Sequence, residues 1–264
     1  MSKLTVQDII NWKAAIDKSL LQHGSKDRLF IRFVNLIGFA VEFYGLPLNI
    51  VSKVGNFKNA DQKREMAFWT DKEFSQFIAA VDNLVYKAFF ATLYLTGARK
   101  GEAMALLWKD VDLQNNVIDI CKSYTNKVIG GGYKITSTKT AGSTRQVVIP
   151  DSLSKLLAEL KDYYKQFAGF TVDCFMFGMT KPLSLINIDR KKKHYCELAG
   201  VKEIRTHDFR HSHASLLLNK EQNIMLVAQR LGHSDIKMTL NTYGHLFPNK
   251  QRELMNSLDI KLED

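Results

Sequence analysis

Thr206-His207-Asp208-Phe209-Arg210-His211, Leu231-Gly232-His233-Ser234 and Thr239-Leu240-Asn241-Thr242-Tyr243-Gly244-His245 are the stretches from which this chain is best read. Upstream stands Leu95-Thr96-Gly97-Ala98-Arg99-Lys100-Gly101-Glu102, and between the two lies Thr138-Lys139-Thr140. Singly, each polar residue has a plain structural use. A tyrosine near a C-terminus is usually a core or surface aromatic, and an arginine just after a glycine can cap a helix end. His207 and His211 stand at i and i+4, a spacing that zinc sites share. The H-E-x-x-H pattern is missing, though, and no cysteine lies near, so the sequence offers no metal site. Jointly, two arginines, a lysine, two histidines and a tyrosine form the set that attack on a phosphodiester requires when no metal takes part.

The chain has 264 residues, 45% of them apolar and 24% charged, enough for one large domain and one small one. Its formal net charge of +10 favours an anionic partner, of which nucleic acid is the commonest. Cys121, Cys174 and Cys196 are odd in number and widely spaced, which reads as reduced structural thiols. No apolar run reaches membrane-spanning length, and Met1-Ser2-Lys3-Leu4-Thr5 lacks the apolar core of a signal peptide. A cytoplasmic, nucleoid-associated protein without cofactor is expected.

Working outward, Thr5-Val6-Gln7-Asp8 predicts a capped helix start, with Ile9, Trp12, Ile16 and Leu20 at helical spacing. Gly24-Ser25 is read as a break, and a second helix runs to about Tyr44, ended by Gly45 and Pro47. Residues 52–66 are polar and basic and read as an interdomain linker. Thr70 and Glu73 form a capping box, with Trp69 and Phe74 as its hydrophobic staple, so a second domain begins there. Helix is expected to about Trp108. Strand character follows at 117–120, 133–137 and 145–149, and mostly helix from Ser152, interrupted by Phe175-Met176-Phe177. The fold class is therefore mainly α with a small antiparallel β-sheet. The run Arg190, Lys191, Lys192, Lys193 and His194 reads as a phosphate-facing patch or a solvated helix face.

In order and spacing these motifs resemble the tyrosine recombinases of the phage-integrase type. The resemblance is strong over about residues 66–250. It implies a catalytic domain over 67–264, with a tail from about 246, preceded by a partial helical core-binding domain at 1–62 that grips DNA. This stretch is shorter than in the family, which reads as an N-terminal truncation or a short relative. Tyr243 becomes the nucleophile, forming a 3′-phosphotyrosyl bond. Its phenol is barely ionised at neutral pH, so it needs cations and a base. Arg99 and Arg210 would fork onto the phosphate oxygens. Lys139 would protonate the leaving 5′ oxygen, with Lys134 as the nearest competitor. The position of His207 goes with accepting the nucleophile's proton, that of His233 with supporting the phosphate, and Glu102 with orienting Arg99 or a histidine.

Implied partners are double-stranded DNA at attachment sites, a homotetramer on the synapse, and accessory excision or bending factors. The tail residues Leu246, Phe247, Leu254, Leu258 and Ile260 would dock on a neighbouring protomer or pack in cis. Two alternatives stand beside integration and excision of a mobile element. A type IB topoisomerase shares the chemistry but religates the same strand, and a silent DNA-binding protein would keep only the binding.

Overall fold

A computed structural model describes residues 4–57, 66–137, 144–220, 223–233 and 235–244. The chain divides into two compact units, Met1–Glu65 and Met66–Asp264. No helix among the described residues is long and apolar enough to cross a membrane.

In the first unit Thr5 caps α1 (Val6–Asp17) through a reciprocal capping box with Asp8. Helix α2 spans His23–Tyr44 and closes on Gly45 in the left-handed conformation. Gly24 and Ser25 thus lie inside its first turn, not in a break. The interruption falls earlier, where Lys18 caps α1 and Gln22 precedes α2. A glycine in a first turn is cheap, because the N–H groups there have no intrahelical partner to lose. Ile9, Phe30, Ile37, Val51 and Phe57 form the core, with Trp12 edge-on to Phe33. Phe57 therefore corrects the linker expectation: the polar stretch from 52 carries one aromatic anchor, and that anchor belongs to this unit's core. Residues 58–65 lie outside the described residues.

The second unit opens on the Thr70–Glu73 capping box of α3 (Asp71–Ala80). The expected staple is replaced by longer-range packing. Trp69 packs on Phe77 and Phe209 and donates its indole N–H to the Lys202 carbonyl, while Phe74 stacks on Tyr94. Helix α4 (Leu84–Thr96) is buried over most of its circumference from Ala88 onward, as expected for an element apolar on all sides. It packs against α6 (Asp151–Lys165) and α8 (Asp208–Asn219).

Between α5 (Lys100–Met104) and α6 the described residues form two antiparallel sheets where one was expected. Strands β1 (Val111–Asp112), β2 (Val117–Ile120) and β5 (Arg145–Val148) form one, in the order β1-β2-β5. Strands β3 (Lys122–Thr125) and β4 (Lys134–Ser137) form the other, in register Lys122 opposite Ser137. Alternation places Ile118, Ile120 and Val147 in the core and turns Asp119 and Val148 outward. Helices α7 (Leu185–Ala199), α9 (Ile224–Leu231) and α10 (Ile236–Tyr243) complete the unit.

The basic run on α7 divides in two. Lys192 is buried and bonds the Glu203 carboxylate and the Ile204 carbonyl, so it is a structural cation, whereas Arg190, Lys193 and His194 are exposed.

Replacing Thr70 with alanine removes the hydroxyl that accepts from the Glu73 N–H. It should cost about 1 kcal/mol of stability, read as a lower denaturant midpoint with an unchanged slope.

Candidate active site

The site is assembled where two helices end. Helix α4 closes on Gly97 (φ +66°), and α9 closes on Gly232 (φ +68°). A side chain at either position is strained by the left-handed backbone. It would also collide: a Cβ on Gly97 would stand 2.7 Å from the His213 ring and 2.8 Å from Leu231, and one on Gly232 would stand 3.0 Å from Arg145. The turn at Gly97 delivers Arg99 to the N-cap of α5. The turn at Gly232, with its N–H on the Gln229 carbonyl and that of His233 on Ala228, delivers His233.

Arg210, on α8, joins the two turns. Its Nη1 donates to the Gly97 carbonyl at 2.9 Å and its Nη2 to the Leu231 carbonyl at 2.6 Å. The guanidinium is 2% exposed. Burial, with the like charges of Arg99 and Arg145, pushes its pKa down to about 9. It still carries its proton at neutral pH, in a setting that favours an incoming anion.

Two further guanidiniums share these helix ends. Arg145, from β5, donates Nε to the Arg230 carbonyl and Nη2 to Glu102 at 2.9 Å. Arg230 donates to the Leu95 carbonyl and to His213. The carbonyl end of a helix carries partial negative charge, so these sites suit cations.

Glu102, 3% exposed, is the buried carboxylate that balances this group. It accepts from the Arg99 side chain at 2.7 Å, from the Arg99 backbone N–H at 2.9 Å and from Arg145. Burial pushes its pKa up, but the two arginines outweigh that and hold it below the usual carboxylate range. Arg99 itself is the more open of the two guanidiniums bonded to this carboxylate, and faces a cleft of about 540 Å³ that it lines with Lys100, Thr206 and His207.

His207 caps α8 at the exposed edge of that cleft. Partial desolvation and the Arg210 charge lower its pKa. The neighbouring Asp208, 1% exposed, is clasped by Arg205 through its backbone N–H and guanidinium. His233 bonds the Thr239 hydroxyl at 2.7 Å and, through burial and then Arg210, is depressed to about 4.

Tyr243 ends α10, 1% exposed, among Ala214, Leu218, Val227 and Leu231. Its hydroxyl lies 2.7 Å from Nδ1 of His211. Burial raises the phenol to about 12, despite Arg210 nearby.

Of the residues expected from sequence, Arg99, Glu102, His207, Arg210, His233 and Tyr243 therefore occupy one neighbourhood, linked by hydrogen bonds or by charge. Lys139 lies outside the described residues. Its competitor Lys134 sits at the start of β4, opposite Thr125. Three participants escaped the site reading: His211 as the partner of Tyr243, Arg145 as the second partner of Glu102, and Arg230. The signal for His211 was its place one helical turn after His207 and next to Arg210.

Replacing Glu102 with glutamine leaves buried guanidinium charge without its counter-ion. A loss of roughly 3–5 kcal/mol is expected on chemical unfolding, the range for breaking a buried pair by removing one member. A second expectation concerns pH. His211 and His233 are held at about 4 and buried His213 at about 3, against 6.5 for the unfolded chain. Their folded pKa values are depressed, so the unfolded state binds more protons and stability falls as pH drops from about 6.5 toward 4. A single such histidine accounts for on the order of 2 kcal/mol between pH 7 and 5. Urea midpoints that stay level across this interval would contradict the burial of these rings as neutral groups.

A model of the phage integrase family matches residues 67–250. The ICEBs1 integrase of Bacillus subtilis is 33% identical over 267 residues, taking in 98% of this chain and 72% of the relative. An integrase of a Staphylococcus phage is 31% identical over 251 residues, 84% of this chain and 70% of its own. In fold, the chain matches a Tn1549 transposon integrase solved in complex with transposon right end DNA. The TM-score is 0.81 at 19% identity, covering 98% of this chain and 87% of that one. The architecture, mainly helical with small antiparallel sheets, is that of these catalytic domains. With the family model spanning most of its length and a relative one-third identical along nearly all of it, the protein belongs to the phage integrase family and is a tyrosine-type site-specific recombinase.

Proposed function

We propose that Tyr243 cuts DNA at the attachment sites of a mobile element, holds the strand as a 3′-phosphotyrosyl bond and passes it to a partner strand, integrating or excising the element. The observation that carries this reading is the surplus of guanidinium charge around Arg210, beside a tyrosine hydroxyl. Arg99 and Arg145 bond the buried Glu102, and Arg210 and Arg230 are held by helix-end carbonyls, so among the described residues the site gathers guanidinium groups suited to an incoming anion.

Arg99 and Arg210 neutralise the non-bridging oxygens as the tyrosine oxygen bonds to phosphorus. The P–O5′ bond breaks, and Lys139 supplies the proton to the leaving oxygen. His233 supports the phosphate, and His207 assists proton movement. The covalent bond conserves the phosphodiester energy, so a 5′ hydroxyl from the partner duplex can reverse the step without ATP. Because Tyr243 is buried, its pocket must open toward the phosphate before attack, and DNA binding and assembly supply the drive.

Residues 1–62 act as a partial helical core-binding domain that grips DNA. Support comes from the solved relatives, among them the Tn1549 integrase on circular intermediate DNA and a lambda integrase dimer bound to a core site. The working form is a homotetramer on two duplexes, aided by accessory excision or bending factors, in the cytoplasm at the nucleoid. A groove beside the site, lined by apolar Val148, Met225 and Leu226 and by polar Gln146, Gln229 and Asp235, supports contact between protomers. The tail beyond Gly244 lies outside the described residues.

Covalent trapping tests the reading. Nicked duplexes carrying the ends of the element should give an SDS-resistant, protease-sensitive adduct. It should vanish in Tyr243→Phe and fall by roughly 10³-fold or more in Arg210→Ala, the scale set by arginines in other phosphoryl transfers. An adduct that persists in Tyr243→Phe would assign the nucleophile elsewhere.

A further inference from the structure

The resemblance gives the nucleophile's proton to the position of His207, but the geometry points to a different ring. We infer that His211 is the immediate acceptor of the Tyr243 proton, with His207 as a second imidazole behind it. This deepens the function proposed above and rests on it.

Three observations carry the assignment. His211 Nδ1 is 2.7 Å from the Tyr243 hydroxyl, which is hydrogen-bond distance, and no contact joins His207 to that hydroxyl among the described residues. A candidate base must first be within reach of the proton it takes. His211 stands one helical turn after His207, and the two rings meet edge-on with centroids 5.1 Å apart. His207 lies at the exposed mouth of the cleft, whereas His211 is half-buried against the phenol.

Nδ1 can accept from the phenol only if the ring's own proton sits on Nε2, so the pair requires the Nε2–H tautomer. The step then balances. The Tyr243 oxygen bonds to phosphorus as its proton moves to Nδ1, the P–O5′ bond breaks, and O5′ is protonated by Lys139. His211 is left as an imidazolium, which returns the proton when the phosphotyrosyl bond is later reversed.

The groups acting on His211 are His207, Asp208 and Arg210 on α8, Arg205 just before it, and Tyr243 from α10. As the chain is arranged here, burial and the nearby cations hold His211 at about 4 while Tyr243 sits at about 12, so the proton stays on the phenol. A phosphodiester held by Arg99 and Arg210 offsets the cations that depress His211, and bonding of the Tyr243 oxygen to phosphorus removes the phenol's hold on its proton. The nucleophile is thus quiet until its substrate is bound.

The test is single-turnover cleavage of a nicked duplex by His211→Gln and His211→Ala, with DNA binding checked by gel shift. Glutamine keeps an acceptor for the hydroxyl but cannot take its proton, which separates holding the phenol from activating it. Both variants should bind DNA and cleave about 10²–10³-fold more slowly at neutral pH, within the range for general-base catalysis. Placing a fluorinated, more acidic tyrosine at 243 should recover tenfold or more of the loss in His211→Ala, and little in the wild type. Wild-type cleavage by His211→Gln from pH 6 to 8 would overturn the assignment. So would a deficit that the acidic phenol leaves untouched, since that marks a packing role. Absence of any adduct with the wild type would instead overturn the phosphotyrosyl reading, and this assignment with it.

Discussion

The fork of Arg210 on the carbonyls of Gly97 and Leu231 is the contact on which the rest of the site depends. A buried guanidinium is costly unless its N–H groups are met. Here they are met by the ends of two helices, where carbonyls are left over and the helix dipole is negative. That requirement brings the C-terminus of α4 to the C-terminus of α9. It calls for a left-handed glycine at each end, and it sets Arg99 and His233 within two residues of the two turns. Arg145 and Arg230 use the same kind of acceptor. Satisfying the Arg210 and Arg230 guanidiniums with carbonyls keeps their hydrogen bonds without a carboxylate against them. A pocket built this way suits a phosphate.

The nucleophile obeys the opposite logic. Tyr243 is packed among aliphatic side chains, where burial favours the neutral phenol, and the histidines nearby are held neutral by burial and by the same arginines. Positive charge and a protonated phenol side by side make an inert arrangement. It turns reactive only when a phosphate held by the arginines stands against the phenol oxygen. For an enzyme that must not cut DNA at random, coupling reactivity to substrate charge is a physical safeguard.

Legibility in the sequence followed the range of the interaction. The Thr5 and Thr70 caps were readable because each is completed within four residues, and the glycine end of α2 because the left-handed turn selects glycine; the end of α4 at Gly97 falls inside the stretch expected to stay helical to about Trp108. The motif residues were readable as a family pattern. Contacts that depend on packing between distant elements were not. Trp69 meets Phe209 rather than Phe74, and Phe57 anchors a stretch whose composition looks like linker. Lys192 is buried in a run that reads as surface, because α7 turns that one position inward toward Glu203. The His211–Tyr243 bond joins positions 32 residues apart and exists only because α10 returns to α8. Arg145 read only as the start of a strand at 145–149, and its pairing with Glu102 across 43 residues was invisible in one dimension.

The central claim is that the arginines serve to balance the charge of the phosphate under attack. A duplex carrying a neutral methylphosphonate at the scissile position tests it most directly, since that substitution removes the charge they are said to balance. Single-turnover cleavage would be compared for wild-type and Arg210→Ala protein on this substrate and on the ordinary diester. The account predicts that the deficit of the variant shrinks greatly on the methylphosphonate. An equal deficit on both substrates would contradict it and would make Arg210 a structural clamp between two helix ends.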